Sequence, residues 1–95
     1  MTTPTMEPIH PGEILSEEFL KPAGITQERF AKALGVSRRS VNEIVRGRRS
    51  ITAEMAILLS KVLGTSAEMW LGLQADYDLL TAPAVTGLKR IRLSA

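Results

Sequence analysis

Between positions 29 and 49 the chain places seven basic side chains, Arg29, Lys32, Arg38, Arg39, Arg46, Arg48 and Arg49, against a single acid, Glu43, for a local balance of +6. Side chains at that density do one kind of chemistry well: they neutralise phosphates and release the counterions condensed on a nucleic-acid backbone. Charge alone would equally describe a solvated helical face. The surroundings have other signs, with −4 over residues 1–28, −3 over residues 50–80 and +3 over residues 81–95, inside a formal net charge of +2. Segregation, and not the net value, singles out the block.

Nothing comparable supports catalysis. The sole histidine, His10, precedes Pro11 at a helix start, where it is an N-terminal cap or a solvent residue. With no cysteine, thiolate metal sites, thiol nucleophiles and disulfides are excluded together. Glu17 and Glu18 are adjacent, so on a helix they point about 100° apart and form a solvated face, not an acid/base pair. Neither glycine-rich phosphate-binding motif occurs. The expectation is a chain that is no enzyme and takes no metal and no cofactor. At 95 residues it is one compact unit, and 44% hydrophobic with 23% charged residues is an ordinary globular composition. No apolar run approaches membrane-spanning length and residues 1–8 lack the pattern of a signal peptide, so a soluble, cytoplasmic chain with no membrane partner is expected.

The elements that must position the basic block can be read from caps and periodicity. Pro11 suits a first helical position, and the run to Lys21 carries Ile14, Leu15 and Phe19 on one side, with Pro22 and Gly24 as stops. Thr26 can cap residues 27–34, ended by Gly35; Ser37 can cap 38–46, ended by Gly47. Thr52 can cap 53–63, ended by Gly64, and Ser66 can cap 67 to about 80. Met55, Leu58, Leu59, Val62 and Leu63 repeat as a core-facing stripe, as do Trp70, Leu73, Tyr77 and Leu80. The reading is an all-α bundle of five helices. Residues 1–8 are a flexible N-terminus, 9–80 the domain, and 81–95 a linker followed by a basic tail. Within the tail, residues 88–93 alternate apolar and basic, the pattern of a short C-terminal strand that needs an edge to pair with.

The second and third helices are separated only by Gly35-Val36-Ser37, which forces a steep crossing of the helix-turn-helix kind. Ala31, Gly35, Val41 and Ile44 supply the small, left-handed and inward-facing positions that the crossing requires. With Val41 and Ile44 turned inward, Arg39, Asn42, Glu43 and Arg46 face outward, Arg38 and Ser40 lie on the flanks, and Arg38 is at the tip that enters a major groove first. Arginine reads guanine, asparagine reads adenine, and glutamate can accept from cytosine N4. For Glu43 an ion pair with Arg39 or Arg46 is an equal alternative. Gln27, Arg46, Arg48 and Arg49, with Ser50 and Thr52, are candidates for phosphate contacts that fix register, although Arg49 could equally be solvated.

The stretch from Gln27 to Leu63 resembles the Xre/phage-repressor family. His10-Pro11-Gly12-Glu13-Ile14-Leu15, Asn42-Glu43-Ile44, Gly47-Arg48-Arg49-Ser50-Ile51-Thr52, Trp70-Leu71 and Leu73-Gln74 with Tyr77-Asp78-Leu79 are similar to the HigA subfamily of antitoxins. The resemblance covers about residues 8–80. It implies base contacts from Arg38, Arg39 and Glu43, with Ser37 and Arg46 nearer the backbone. It also implies a type II toxin–antitoxin pair, in which the chain binds a RelE/HigB-like ribonuclease toxin and represses its own operon on double-stranded operator DNA. A free-standing Xre-type regulator without a toxin is the alternative.

One helix-turn-helix reads few base pairs, so a homodimer spanning two half-sites is expected. Trp70, Leu73, Tyr77 and Leu80 are either intramolecular core or a dimer seam, with Tyr77 and Leu80 the better seam candidates. Ile91 and Leu93 would join that seam by pairing between two tails. The tail could instead pair within its own chain or meet an exposed strand of the toxin, or Lys89, Arg90 and Arg92 could simply add nonspecific DNA affinity.

Overall fold

The computed structural model describes residues 7–94, and among these the regular structure is five helices and no strand. Helix α1 spans residues 11–23, α2 Gln27–Leu34, α3 Arg38–Val45, α4 Ala53–Leu63 and α5 Ala67–Thr81. The expected caps are in place. The hydroxyls of Thr26, Ser37, Thr52 and Ser66 accept from the amides of Arg29, Ser40, Met55 and Met69, each satisfying an amide that the first turn leaves without a partner.

Helix α1 departs from the expected regular helix. It opens as an α-turn over Pro11–Ile14, widens into a π-helical stretch over Leu15–Leu20, and closes through Lys21–Ala23. The Lys21 amide reaches back five residues to the Ser16 carbonyl. Pro22 does not stop the helix. It lacks an amide hydrogen and its ring would crowd the carbonyl four residues earlier, and the wider register relieves both problems. Gly24, at φ 65°, is the actual terminator. The wide turn also changes the buried face. Leu15 and Leu20 would lie about 140° apart on an α-helix, yet both are buried here, while Ile14 and Phe19 are half-buried.

The core gathers Leu15 and Leu20 of α1, Phe30, Ala31 and Leu34 of α2, Val41 and Ile44 of α3, Ile51, Ala56 and Leu59 around α4, and Trp70 of α5. On α4 the stripe is centred on Ala56 and Leu59, with Met55, Leu58 and Leu63 at its margins and Val62 exposed, so Val62 is not a core position. Trp70 is fully buried; its indole N–H donates to Thr65 Oγ1 at 2.7 Å and its ring lies 5.5 Å from that of Phe19. It is therefore core of its own chain and has no surface left for a seam, whereas Leu73 and Tyr77 are half-buried and Leu80 is exposed.

Beyond α5 the chain is irregular, and the expected strand over residues 88–93 is absent among the described residues. Leu88, Ile91 and Leu93 are exposed, consistent with a period-two segment that has no edge to pair with in its own chain. The expected flexibility of residues 1–8 falls largely outside the described residues.

Candidate nucleic-acid interface

The turn between α2 and α3 is built by Gly35. At φ 75° it takes the left-handed conformation that a Cβ would disfavour, and the amides of Gly35 and Val36 both return to the Ala31 carbonyl, at 2.9 and 3.0 Å. This ends α2 abruptly and lets Ser37 begin α3 after one intervening residue. Ala31, Val41 and Ile44 are buried where the two helices meet. The back of α3 is thereby fixed and its front is left to solvent.

That front carries Arg38 and Arg39 in the first turn, with Arg46 and Arg48 after the last, all exposed. Ser37 is exposed and its hydroxyl lies 2.9 Å from that of Ser40, which is half-buried. Asn42 is less free than its place on the helix suggests. Its side-chain amide donates to Gln27 Oε1 at 3.0 Å, so these two residues form a bridge between the first turn of α2 and the middle of α3. Two of the expected contact residues thus orient each other.

Glu43 resolves toward the ion-pair alternative, with partners that helical spacing alone did not supply. Its Oε1 accepts from Arg39 Nε at 2.8 Å, and its Oε2 accepts from Arg49 Nε at 2.9 Å and lies 2.7 Å from Arg49 Nη2. Arg46 is not a partner. Hydrogen bonds from Arg39 and then Arg49 hold the Glu43 carboxyl below its ordinary range. Arg49 is anchored, because its amide also donates to the Glu43 carbonyl at 3.2 Å, beside that of Arg48 at 2.8 Å.

Two residues that hold α3 and the loop after it in place, Gly12 and Gln74, carried no assigned role in the sequence. Gly12, in the first turn of α1, presses its backbone against the C-terminal end of α3: a Cβ there would lie 1.7 Å from the Ile44 carbonyl oxygen. His10 is buried and caps α1, accepting the Gly12 amide on Nδ1 at 2.9 Å. Its ring stands edge-on to Tyr77 of α5, with centroids 4.9 Å apart. Burial pushes its imidazole below the ordinary value, against the opposing pull of Asp78. The cap alternative for His10 is realised and the solvent alternative is not. Gln74 of α5 is buried too; its Oε1 accepts the Ile51 amide at 2.8 Å and its Nε2 donates to Asp78 at 2.9 Å. It satisfies the loop joining α3 to α4. The signal that could have found Gln74 is its place one turn after Trp70, on the buried side of α5.

Among the described residues no group of acidic and histidine side chains is arranged to hold a metal ion, and no helix is long and apolar enough to cross a membrane. A family model described as Helix-turn-helix matches residues 17–70. The chain is 52% identical over 77 residues to virulence-associated protein I of Dichelobacter nodosus, covering 81% of this chain and 71% of that protein. It is 43% identical over 72 residues to antitoxin HigA-1 of Vibrio cholerae, covering 76% and 68%. Among solved structures, Pseudomonas aeruginosa antitoxin HigA with the higBA promoter is 51% identical and superposes with a TM-score of 0.78 over 80% of this chain and 83% of that one. The family match extends over more than half the chain, and the likeness to these relatives covers 76–81% of it. The chain accordingly belongs to the HigA family of helix-turn-helix antitoxins, which are transcription regulators and not enzymes.

Proposed function

We propose that this chain is a cytoplasmic antitoxin that binds operator DNA as a homodimer, represses its own operon, and neutralises a RelE/HigB-like ribonuclease toxin by direct binding. The observation that carries the DNA part is the front of α3. Its back is buried through Val41 and Ile44 while Arg38 and Arg39 stand exposed at its leading turn, the end a major groove admits first. Arg38, Arg39 and Asn42 are the base-facing set; Gln27, Ser37, Ser40, Arg46, Arg48 and Arg49 flank it as phosphate contacts. The solved relative with its promoter supports this reading. The antitoxin naming of the relatives supports the toxin partner.

The homodimer is supported by α5, which is apolar on more than one side. With Trp70 and Gln74 buried, it still exposes Met69, Leu71, Leu79 and Leu80, more apolar surface than a helix flanked by solvent usually carries. Leu73, Tyr77 and Leu80 are the proposed seam, and Ile91 and Leu93 extend it if two tails pair.

The test is a pair of substitutions read against a duplex from upstream of the chain's own reading frame and against a scrambled duplex. Arg39→Ala is expected to weaken the cognate duplex by about 1–3 kcal/mol and relax the preference at one base pair. Arg48→Ala is expected to weaken both duplexes alike and lower the salt slope by about one unit. Wild-type binding by both variants would overturn the assignment of α3. Coexpression with the neighbouring reading frame tests the toxin: a small protein that copurifies and is inhibited supports it, and a neighbour that does neither leaves a regulator without a toxin.

A further inference from the structure

Glu43 is the only acid among seven bases in residues 29–49, and it faces the groove-directed side of α3. We infer that Glu43 is a positioning residue that sets DNA specificity by bracing Arg39 and Arg49, and that it does not itself read a base. The inference rests on the proposed reading of α3 as the DNA-contacting helix.

Three features of the geometry carry it. First, both carboxylate oxygens are engaged by arginines from different places in the chain, Arg39 one turn back on α3 and Arg49 in the loop beyond it. Second, the two arginines are held differently. Arg39 gives Glu43 its Nε, which leaves the two terminal nitrogens as a free fork of the spacing that guanine O6 and N7 accept. Arg49 gives Nε and Nη2 together, so its fork is occupied and less remains for a base. Third, the Arg39 side chain is 86% exposed and would otherwise sweep a wide volume, so bracing settles its orientation before DNA arrives.

The fold does not need the brace, because exposed ion pairs contribute little to stability. Its effect lies in competition. On a duplex that offers no matching base edge, an arginine gains most by swinging onto a phosphate, and to do so it must leave Glu43. On a cognate duplex Arg39 can keep its Nε on Glu43 and present its fork to guanine. Glu43 therefore penalises nonspecific binding more than cognate binding, both by holding the arginines and by removing about one charge from the face that meets the phosphates.

The experiment measures full-length wild type, Glu43→Gln, Arg39→Ala and the double variant against the upstream duplex and a scrambled duplex of equal length, over a series of salt concentrations. Glu43→Gln keeps the size and removes the charge. It is expected to tighten the scrambled duplex by about three- to tenfold near 100 mM salt and to steepen its salt slope by up to about 0.9. The preference for the upstream duplex should fall by a similar factor, with the helical circular-dichroism signal and melting midpoint unchanged. In the Arg39→Ala background the same substitution should cost clearly less preference than in wild type, since only the Arg49 brace and the charge remain for Glu43 to act through. If Glu43→Gln instead loses affinity for the upstream duplex alone, with the scrambled duplex unaffected, Glu43 reads a base and the inference is overturned. A wild-type chain with no preference between the duplexes would overturn the underlying reading of α3 along with it.

Discussion

His10 Nδ1 can accept the Gly12 amide only while that nitrogen carries no proton, so the cap at the start of α1 is present in one protonation state alone. The folded chain lowers the histidine pKa below its ordinary 6.5. Between the two values the unfolded chain binds more protons than the folded one, so stability rises with pH through that window. The contribution of His10 is therefore complete above pH 6.5 and is lost as pH falls from there toward the folded value. His10→Asn keeps an acceptor at the cap and removes the titration. Its melting midpoint should fall less than that of wild type between pH 7.5 and 5.5, and identical falls would show that His10 does not titrate against folding. At this scale the sequence was a good guide to caps, because a hydroxyl followed by a periodic run is a local pattern. It was a poor guide to Glu43, whose second partner, Arg49, arrives through space from beyond the end of the helix.

Among elements, the contact between α1 and α3 is the one with least tolerance. Gly12→Ala would drive a methyl into the Ile44 carbonyl at the end of the reading helix, and because both partners are backbone, neither can turn aside. A cost near the upper end of overpacking, about 3 kcal/mol, is expected in urea unfolding. Any folded fraction should bind DNA more weakly, since relief requires shifting α1 off α3. An unchanged denaturation midpoint would mean that the two helices sit farther apart. Helix existence and the buried positions of α2 and α3 were legible from periodicity and the Ala31, Gly35, Val41, Ile44 set. The wide turn of α1 was not, because Pro22 reads as a stop on any α-helical template and only the register shift lets the helix pass it. Val62 failed as a core position for a related reason: a stripe five residues wide on α4 is broader than the surface its neighbours cover, and packing selected Ala56 and Leu59.

At the scale of the whole molecule, the radius of gyration is 16.8 Å, against about 12 Å expected for a compact chain of this length. The segment after α5 is irregular and its described residues are all exposed, so it leaves the core without packing back on it. The apolar end of α5 sits at the base of this projection, with Leu79 and Leu80 both exposed. If that end is the seam, Leu80→Asp should leave the helical signal intact and convert the protein to a monomer at micromolar concentration by light scattering. A variant that scatters as wild type would move the seam elsewhere. The sequence offered Tyr77 and Leu80 ahead of Trp70 and Leu73 as seam candidates but could not decide between seam and core, since which faces of a helix remain uncovered is known only after the other helices have taken their places.

The exposed projection has a further consequence, in how long the molecule keeps its electrical character. Lys89, Arg90 and Arg92 all lie in it, on backbone that no helix protects, which is the preferred substrate of a trypsin-like protease. One nick after Lys89 would remove Arg90 and Arg92, spare every buried residue and still carry the formal charge of the remaining chain from +2 to 0. Ageing of this protein by cleavage would thus cancel the net charge with which it approaches a polyanion from a distance, while its reading helix stayed whole.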